Sequence, residues 1–329
     1  MMRAFSTEGG RLMPLGDAGL ELERAVWIDM LEPTPEEEAL LEARLGLDVP
    51  TREEMEEIEI SSRLYLEDGA AFMTALLPSR TETEEALMAA VTFVLARNRL
   101  VTVRYHSPRA FVTFPQRAEK AAVGCTDAPS VLISLLDAIV DRLADVLERA
   151  QRDIDATSRS IFSYSGARPI VGSNPKPIMP LQQILQEIGR RGALVSNIGN
   201  SLMTLRRLGG FLTHVLSERK NDRETRGRVR TLVRDLQSLS DHSEFLSQKV
   251  TFLLDATLGM INIEQNATIR IFSVLAVVLL PPTAVASVYG MNFRHMPELD
   301  WPYGYPFALL LMIVVAVVPY WFFKWRRWL

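Results

Sequence analysis

Two stretches near the C-terminus carry no charged side chain: Ile271–Val288 and Tyr303–Phe323. Each is about as long as the ~17–25 residues a helix needs to cross ~30 Å of hydrocarbon. Uncharged runs of this length are rare in soluble folds, so the pair reads as two membrane spans rather than two buried core helices. Lys324, Arg326 and Arg327 follow the second span directly. The positive-inside bias places them in the cytoplasm, and Arg270 at the edge of the first span agrees. Two spans return the chain to its starting side, so the long N-terminal part is cytoplasmic as well. Trp301, Tyr303 and Tyr305 at one end, and Trp321, Trp325 and Trp328 at the other, suit the aromatic belts of the two interfaces. Met1–Gly10 lacks the apolar core of a signal peptide.

The averages hide this organisation. With 329 residues, 48% apolar and 23% charged, the chain resembles an ordinary soluble protein of roughly two domains. A net charge of −4 argues against nucleic acid as a partner. One cysteine, Cys125, forms no internal bridge. Residues 1–128 hold 23 acids and 13 bases, a net of −10, and the remainder nets +6. An acidic front is therefore joined to a basic rear.

Residues 1–128 read as a cytoplasmic α/β domain. Ala25–Met30, Ala71–Leu77, Ala89–Ala96 and Leu100–Tyr105 are strand-like runs, with a tight turn expected at Asn98–Arg99. Thr34 with Glu37 and Thr51 with Glu54 form capping boxes, predicting helices through about Leu45 and about Ile60. Residues 129–268 read as a cytoplasmic helical hairpin and a stalk helix. Leu132, Leu136, Ile139, Leu143, Val146, Ala150 and Ile154 recur at threes and fours. A proline-rich loop at Ser163–Pro180 separates this helix from a second, Leu181–Glu218. A third would run unbroken over residues 222–289, on the order of 100 Å at 1.5 Å per residue. Pro281 lies within the bilayer, where it kinks the helix without ending it. Residues 269–329 are then the membrane domain: a first span over about 269–289, an outer loop at 290–302 and a second span over about 303–323.

Catalytic chemistry is missing from the pattern. No glycine-rich loop cradles a phosphate, and His106, His214, His242 and His295 are scattered without metal-ligand spacing. No Ser or Cys nucleophile has a base nearby in sequence, so the reading is a non-enzyme. Transport without a nucleotide site leaves a channel or a gradient-driven carrier.

Two helices per chain cannot enclose water, so a pore requires several copies of the chain. The first span carries the polar residues, which makes it the candidate lining. At 100° per residue, Ile269, Ala276, Leu280, Thr283 and Ser287 fall within a sector of roughly 60°. This stripe suits a narrow pore gated by dewetting, and suits a helix-packing seam equally well. It carries no carboxylate. Neutral oxygens, including a ring of Asn292 amides, fit a cation such as Mg²⁺ that keeps its water shell. Such an ion gains roughly 4.6 kcal/mol per 100 mV on moving to an inside-negative compartment.

Particular motifs sharpen this reading. Tyr289-Gly290-Met291-Asn292-Phe293 ends the first span, and Met296-Pro297-Glu298-Leu299, Trp301 and Gly304-Tyr305-Pro306 precede the second. The chain closes on Lys324-Trp325-Arg326-Arg327-Trp328-Leu329. Together these resemble the CorA family of magnesium transport proteins. Ile261-Asn262-Ile263-Glu264-Gln265-Asn266, Leu279-Leu280-Pro281-Pro282-Thr283 and Ala25-Val26-Trp27-Ile28-Asp29 are similar to its proteobacterial magnesium/cobalt members. The resemblance implies a funnel-shaped homopentamer, with an α+β cytoplasmic domain, a long-helix stalk and two C-terminal transmembrane helices. It implies that Gly290, Met291 and Asn292 form the outer selectivity ring. Asn266, Ile269, Phe272, Ala276, Leu280 and Thr283 would line the pore, with Ile269 and Phe272 near an inner hydrophobic gate. It further implies closure by cytoplasmic Mg²⁺ on acidic residues between subunits. Asp255, Asp235, Asp241, Glu244 and the Glu53–Glu59 cluster are candidates for that role.

One departure stands out. The position after Phe293, often acidic in the family, is Arg294, followed by His295; the acids Glu298 and Asp300 remain in the loop. A ring of arginines at the mouth would lower the local cation concentration. The expected function is a divalent-cation channel for Mg²⁺ uptake across the bacterial inner membrane, with Co²⁺ and Ni²⁺ as further cargo. The membrane potential would drive it and cytoplasmic Mg²⁺ would gate it. Its partners are further copies of itself, the lipid bilayer and divalent metal ions; no cofactor is needed beyond transported and regulatory Mg²⁺. The alternatives are a Zn²⁺-preferring transporter of the same superfamily, which Met291 disfavours, and a non-transporting membrane scaffold.

Overall fold

The computed structural model describes residues 1–16, 22–82, 86–164, 180–218, 223–291, 296–297 and 301–326. The chain divides into two compact units, Met1–Leu254 and Asp255–Leu329. A seven-stranded mixed sheet organises the first. Its strands are β1 (Met2–Glu8), β2 (Arg11–Pro14), β3 (Trp27–Leu31), β4 (Leu64–Glu67), β5 (Ala70–Ser79), β6 (Leu87–Ala96) and β7 (Arg99–Arg104). They lie in the order β2-β1-β3-β7-β6-β5-β4. All neighbours are antiparallel except β3 and β7, which run parallel with Asp29 opposite Thr102.

The four expected strand runs fall on β3, β5, β6 and β7. The turn sits one residue earlier than expected: Ala96 pairs with Arg99, so the loop is Arg97–Asn98, and Arg97 takes the left-handed φ of 49°. The edge strands β2 and β4, and β1 beside β2, have no counterpart in the sequence reading, because they mix polar with apolar types and few of their side chains are buried.

Both capping boxes form. Around α1 (Pro35–Leu45), the Glu37 amide donates to Thr34 Oγ1 at 3.3 Å, while the Thr34 amide donates to Glu37 Oε2 at 3.1 Å. Gly46, at φ 63°, ends the helix in the left-handed conformation that glycine adopts without steric cost. Thr51 and Glu54 repeat the pattern at α2 (Arg52–Glu56). That helix stops four residues short of the expected Ile60. Glu53, Glu54, Glu56, Glu57 and Glu59 place like charges three apart on one turn, which disfavours its extension. Arg63 Nε instead donates to the Glu57 carbonyl at 2.5 Å. A short helix, α3 (Ile60–Arg63), then leads into β4.

The sheet buries a charge network beside an aromatic cluster. Trp27 stacks on Phe5 with ring centroids 4.8 Å apart and meets Phe111 and Phe114 of α4 (Ala110–Lys120). Next to it, Asp29 is 0% exposed and Arg104 1%. Arg104 grips the carboxylate through two bonds, Nε to Oδ1 at 2.9 Å and Nη2 to Oδ2 at 2.8 Å. Arg3 Nη2 and Thr102 Oγ1 add bonds of 2.6 and 3.0 Å. Burial acts to raise the Asp29 carboxyl, but the bonds and charges of Arg104 and Arg3 outweigh it and hold it below the ordinary range.

Three long helices follow: α5 (Ala128–Tyr164), α6 (Leu181–Glu218) and α7 (Arg223–Tyr289). Every residue of the predicted α5 seam is buried, as are Ile184, Ile188, Val195, Ile198, Leu202, Leu205 and Leu208 of α6. α6 is tied to the sheet where the Leu76 amide donates to Thr204 Oγ1 at 3.0 Å. It meets the first part of α7 at Gly209, where a Cβ would lie 2.8 Å from a methyl carbon of Val233. The second unit holds the remainder of α7 and α8 (Gly304–Trp325). α7 continues through Pro281 and Pro282 to Tyr289, as the sequence predicts.

Candidate ion pathway

The seven candidate lining residues, Asn266, Ile269, Phe272, Ala276, Leu280, Thr283 and Ser287, all lie on the uninterrupted helix α7. All are exposed in the single chain, among them the large apolar Ile269 at 61%, Phe272 at 66% and Leu280 at 64%. α7 and α8 each contain a window long and apolar enough to span a membrane, and within the chain that window is almost wholly uncovered. Burying such surface against lipid or other protein is worth roughly 25 cal/mol per Å². Trp321 and Trp325 at one end of α8, and Tyr303 and Tyr305 at the other, are also exposed, as interfacial anchors would be.

The proline pair gives this helix segment its local chemistry. Pro281 and Pro282 lack the N–H groups that would bond to the carbonyls of Val277 and Val278. One residue on, the Thr283 hydroxyl donates to the Leu280 carbonyl at 2.7 Å, with the Leu279 carbonyl at 3.2 Å. The hydroxyl hydrogen is thus committed to the backbone, and the oxygen's lone pairs are what it can offer to water. The span supplies neutral oxygens and no fixed charge.

At the end of the first span, the Gly290 amide donates to the Ala286 carbonyl at 2.9 Å and that of Met291 to Val288 at 3.2 Å, closing the helix in a turn. Met291 is exposed there. Asn292, Arg294, Glu298 and Asp300 lie outside the described residues.

The candidate regulatory acids are not gathered together. Asp235, Asp241, Glu244 and Asp255 are exposed on α7. Among the described residues, no group of three His, Cys, Asp or Glu converges as a metal site within one chain. Asp241 Oδ1 accepts from Gln237 Nε2 at 2.6 Å, and Gln237 Oε1 accepts from Arg206 at 2.6 Å. Asp235 lies near Asp137 of α5. Burial raises the Asp137 carboxyl, Arg228 at 2.9 Å opposes this, and the charges of Asp141 and Asp235 raise it further. No sequence signal marks Asp137, because it meets Arg228 across 91 residues. Glu53, Glu54, Glu56, Glu57 and Glu59 are exposed as expected. Burial and the charges of Glu67, Glu54, Asp48 and Glu57 push the Tyr65 phenol up to about 12.

An α+β unit and two helices with uncovered apolar windows, the 67-residue α7 and α8, are the makings of a membrane protein built around one long helix. Comparison with known proteins agrees. The profile of the family described as CorA-like Mg²⁺ transporter protein matches residues 23–326. The magnesium transport protein CorA of Pasteurella multocida is 35% identical over 330 residues, and that of Escherichia coli K12 is 36% identical over 330; each comparison covers 100% of both chains. The complete CorA magnesium transporter from Methanocaldococcus jannaschii superposes with a TM-score of 0.75 over 98% of this chain and 97% of that one, at 18% identity, and so shares the fold. The chain belongs to the CorA family of divalent-cation transporters.

Proposed function

We propose that the chain is a channel for Mg²⁺ uptake, assembled as a homopentamer in the bacterial inner membrane with both termini in the cytoplasm. The observation that carries this reading is the exposed, chargeless stripe on α7, from Ile269 through Ser287, on a chain whose two spans cannot by themselves enclose a pore. Copies packed around an axis would cover one side of each α7 with protein and leave the stripe lining water, with α8 outside against lipid. Neutral oxygens at Asn266, Thr283 and Asn292 would touch a hydrated cation through its outer shell, avoiding the dehydration that Mg²⁺ resists. The inside-negative potential drives entry without a nucleotide. Gly290, Met291 and Asn292 form the selective mouth in this reading, and Ile269 and Phe272 the narrow inner gate. Cytoplasmic Mg²⁺ bound between subunits at Asp235, Asp241, Glu244 or Asp255 closes it; the names of the relatives support magnesium as cargo.

The test is Asn292→Ala in a strain that depends on this protein for magnesium. Uptake falls to background while the oligomer still assembles, as read by cross-linking. Normal growth at low Mg²⁺ overturns the pore assignment. Competition among Mg²⁺, Co²⁺, Ni²⁺ and Zn²⁺ in liposome flux then ranks the cargo.

A further inference from the structure

Ile58 is out of place on a water-facing head. It lies in residues 57–59, the link between α2 and α3. At 87% it is the most exposed large apolar side chain among the described residues, ahead of every residue of the two apolar spans. Acids flank it. Glu57 and Glu59 are exposed, and their side chains make no ion pair among the described residues. Glu56, by contrast, is paired with Arg52, and the Glu54 carboxylate caps α2. An apolar knob between two unpaired carboxylates fits a cationic surface that has a gap in it.

The first turns of α7 offer such a surface. Buried Val229, Leu232 and Leu236 mark the side of the helix that packs on its own chain. At 100° per residue, Gly227, Arg230 and Arg234 lie on the opposite side, and all three are exposed. Arg230 and Arg234 have no acid three or four residues away in either direction, and neither forms an ion pair among the described residues. Arg228 instead turns back into the chain, to Asp137 and Ser134 of α5. At Gly227 an added Cβ would meet nothing within 4 Å. The helix presents two unpaired guanidiniums, one turn apart, beside a position with no side chain. Arginine stems are apolar and their heads charged, so this notch can cover an isoleucine while it pairs the flanking acids.

The two surfaces do not meet within one chain. α1 and α2 pack through Leu41 and Met55 on the sheet face of Ile28 and Met30. α4 packs on the other face, against Trp27, and the start of α7 is fastened to α5, which packs on α4. The knob and the arginine face are carried by different layers of the unit. Two unlike, complementary surfaces on one chain make a head-to-tail contact between copies, and such contacts generate rings when the rotation closes.

We propose that Ile58, with Glu57 and Glu59, seats on Gly227, Arg230 and Arg234 of a second copy of the chain. The contact rests on the homo-oligomer of the proposed function and supplies residues that join neighbouring heads. The test uses the full chain in detergent with chelator, carrying Ile58→Cys and Gly227→Cys together, and a short bis-maleimide; Cys125 is buried and stays in place. Covalent dimers and higher multimers are expected from the pair, and background from either new cysteine alone. Raising salt from about 0.05 to about 0.5 M lowers the yield severalfold, because exposed pairs are screened. Arg230→Glu with Arg234→Glu lowers it by about tenfold, and adding Glu57→Arg with Glu59→Arg restores it. The size of the parent assembly is read separately by light scattering. An oligomeric parent whose cysteine pair gives no product overturns the contact and leaves the assembly standing; a monomeric parent overturns both. A product that forms only with added Mg²⁺ overturns the contact as well, since a metal bridging acids would then join the copies. So does a yield that charge reversal leaves unchanged.

Discussion

At the scale of single residues, the most committed interaction in the head is the one around Asp29. Its carboxylate is fully buried and has four donors: two from Arg104, one from Arg3 and one from Thr102. A buried ion pair of this kind adds little over an apolar substitute, yet breaking it is costly because the remaining charge is stranded. Arg104→Met is expected to destabilise the protein by about 3–5 kcal/mol, measured by thermal or denaturant unfolding in detergent. The pH dependence has a definite sign. The folded carboxyl is held below its ordinary value of 3.8, so its contribution is complete well above that pH and is lost as the pH falls below it toward the folded value. Asp29→Asn should flatten this acid limb of the stability curve; an unchanged limb would mean that other carboxylates set it. His106 lies close by, with its Nε2 at 2.9 Å from the Leu77 carbonyl. Burial, seconded by the charge of Arg104, lowers its pKa against the carbonyl's opposing pull, which favours the neutral ring. None of this was legible in advance. Asp29 was visible as part of an apolar run and of a segment resembling the family, neither of which names its partners, which are 26 to 75 residues away.

At the scale of elements, the helices were far more legible than the sheet. Helical periodicity repeats many times along α5 and α6, so errors average out, and a capping box is confined to four residues. The strands β2 and β4 are only four residues long, β1 mixes polar with apolar residues, and the parallel partnership of β3 with β7 leaves no local trace, because the residues that pair are more than seventy apart. The candidate pathway divides in the same way. The stripe on α7 could be read from spacing alone, whereas the neighbourhood of Asp137 and Asp235 required the packing of α5 on α7. Two adjacent glycines of α6 offer a test of how closely α6 packs on α7. Gly209 is buried, and a Cβ there meets Val233 at 2.8 Å; beside Gly210 nothing lies within 4 Å. Gly209→Ala should therefore lower stability by about 1–3 kcal/mol through overpacking. Gly210→Ala should raise it by up to about 1 kcal/mol through helix propensity. Equal effects from the two would mean that α6 and α7 do not approach this closely.

At the scale of the whole molecule, the acidic front and the two uncharged spans set different solvents for different parts of one chain. Residues 1–128 carry their net −10 on a water-facing head, while the apolar windows of α7 and α8 are almost entirely uncovered. A charge placed at mid-span tests this directly. Val314, exposed near the middle of α8, becomes costly as Val314→Arg, by about 2.5–3.5 kcal/mol of insertion free energy. The expected result is loss of the protein from the detergent-extractable membrane fraction, with Arg97→Ala in the head as an unaffected control. Full recovery of Val314→Arg in that fraction would place this face of α8 against water.

The parallel pairing of β3 with β7 also sets a schedule. Asp29 precedes Arg104 by 75 residues. At ~5–20 residues per second, the carboxylate leaves the ribosome about 4–15 s before the guanidinium that will hold it. Until then the N-terminal strands have a hairpin but no central neighbour, and Asp29 stays hydrated. The sheet closes around its charge only when β7 arrives, and the helices that must enter the bilayer are synthesised later still. The order of the elements along the chain thus lets the charged head be completed in water before the apolar spans demand a membrane.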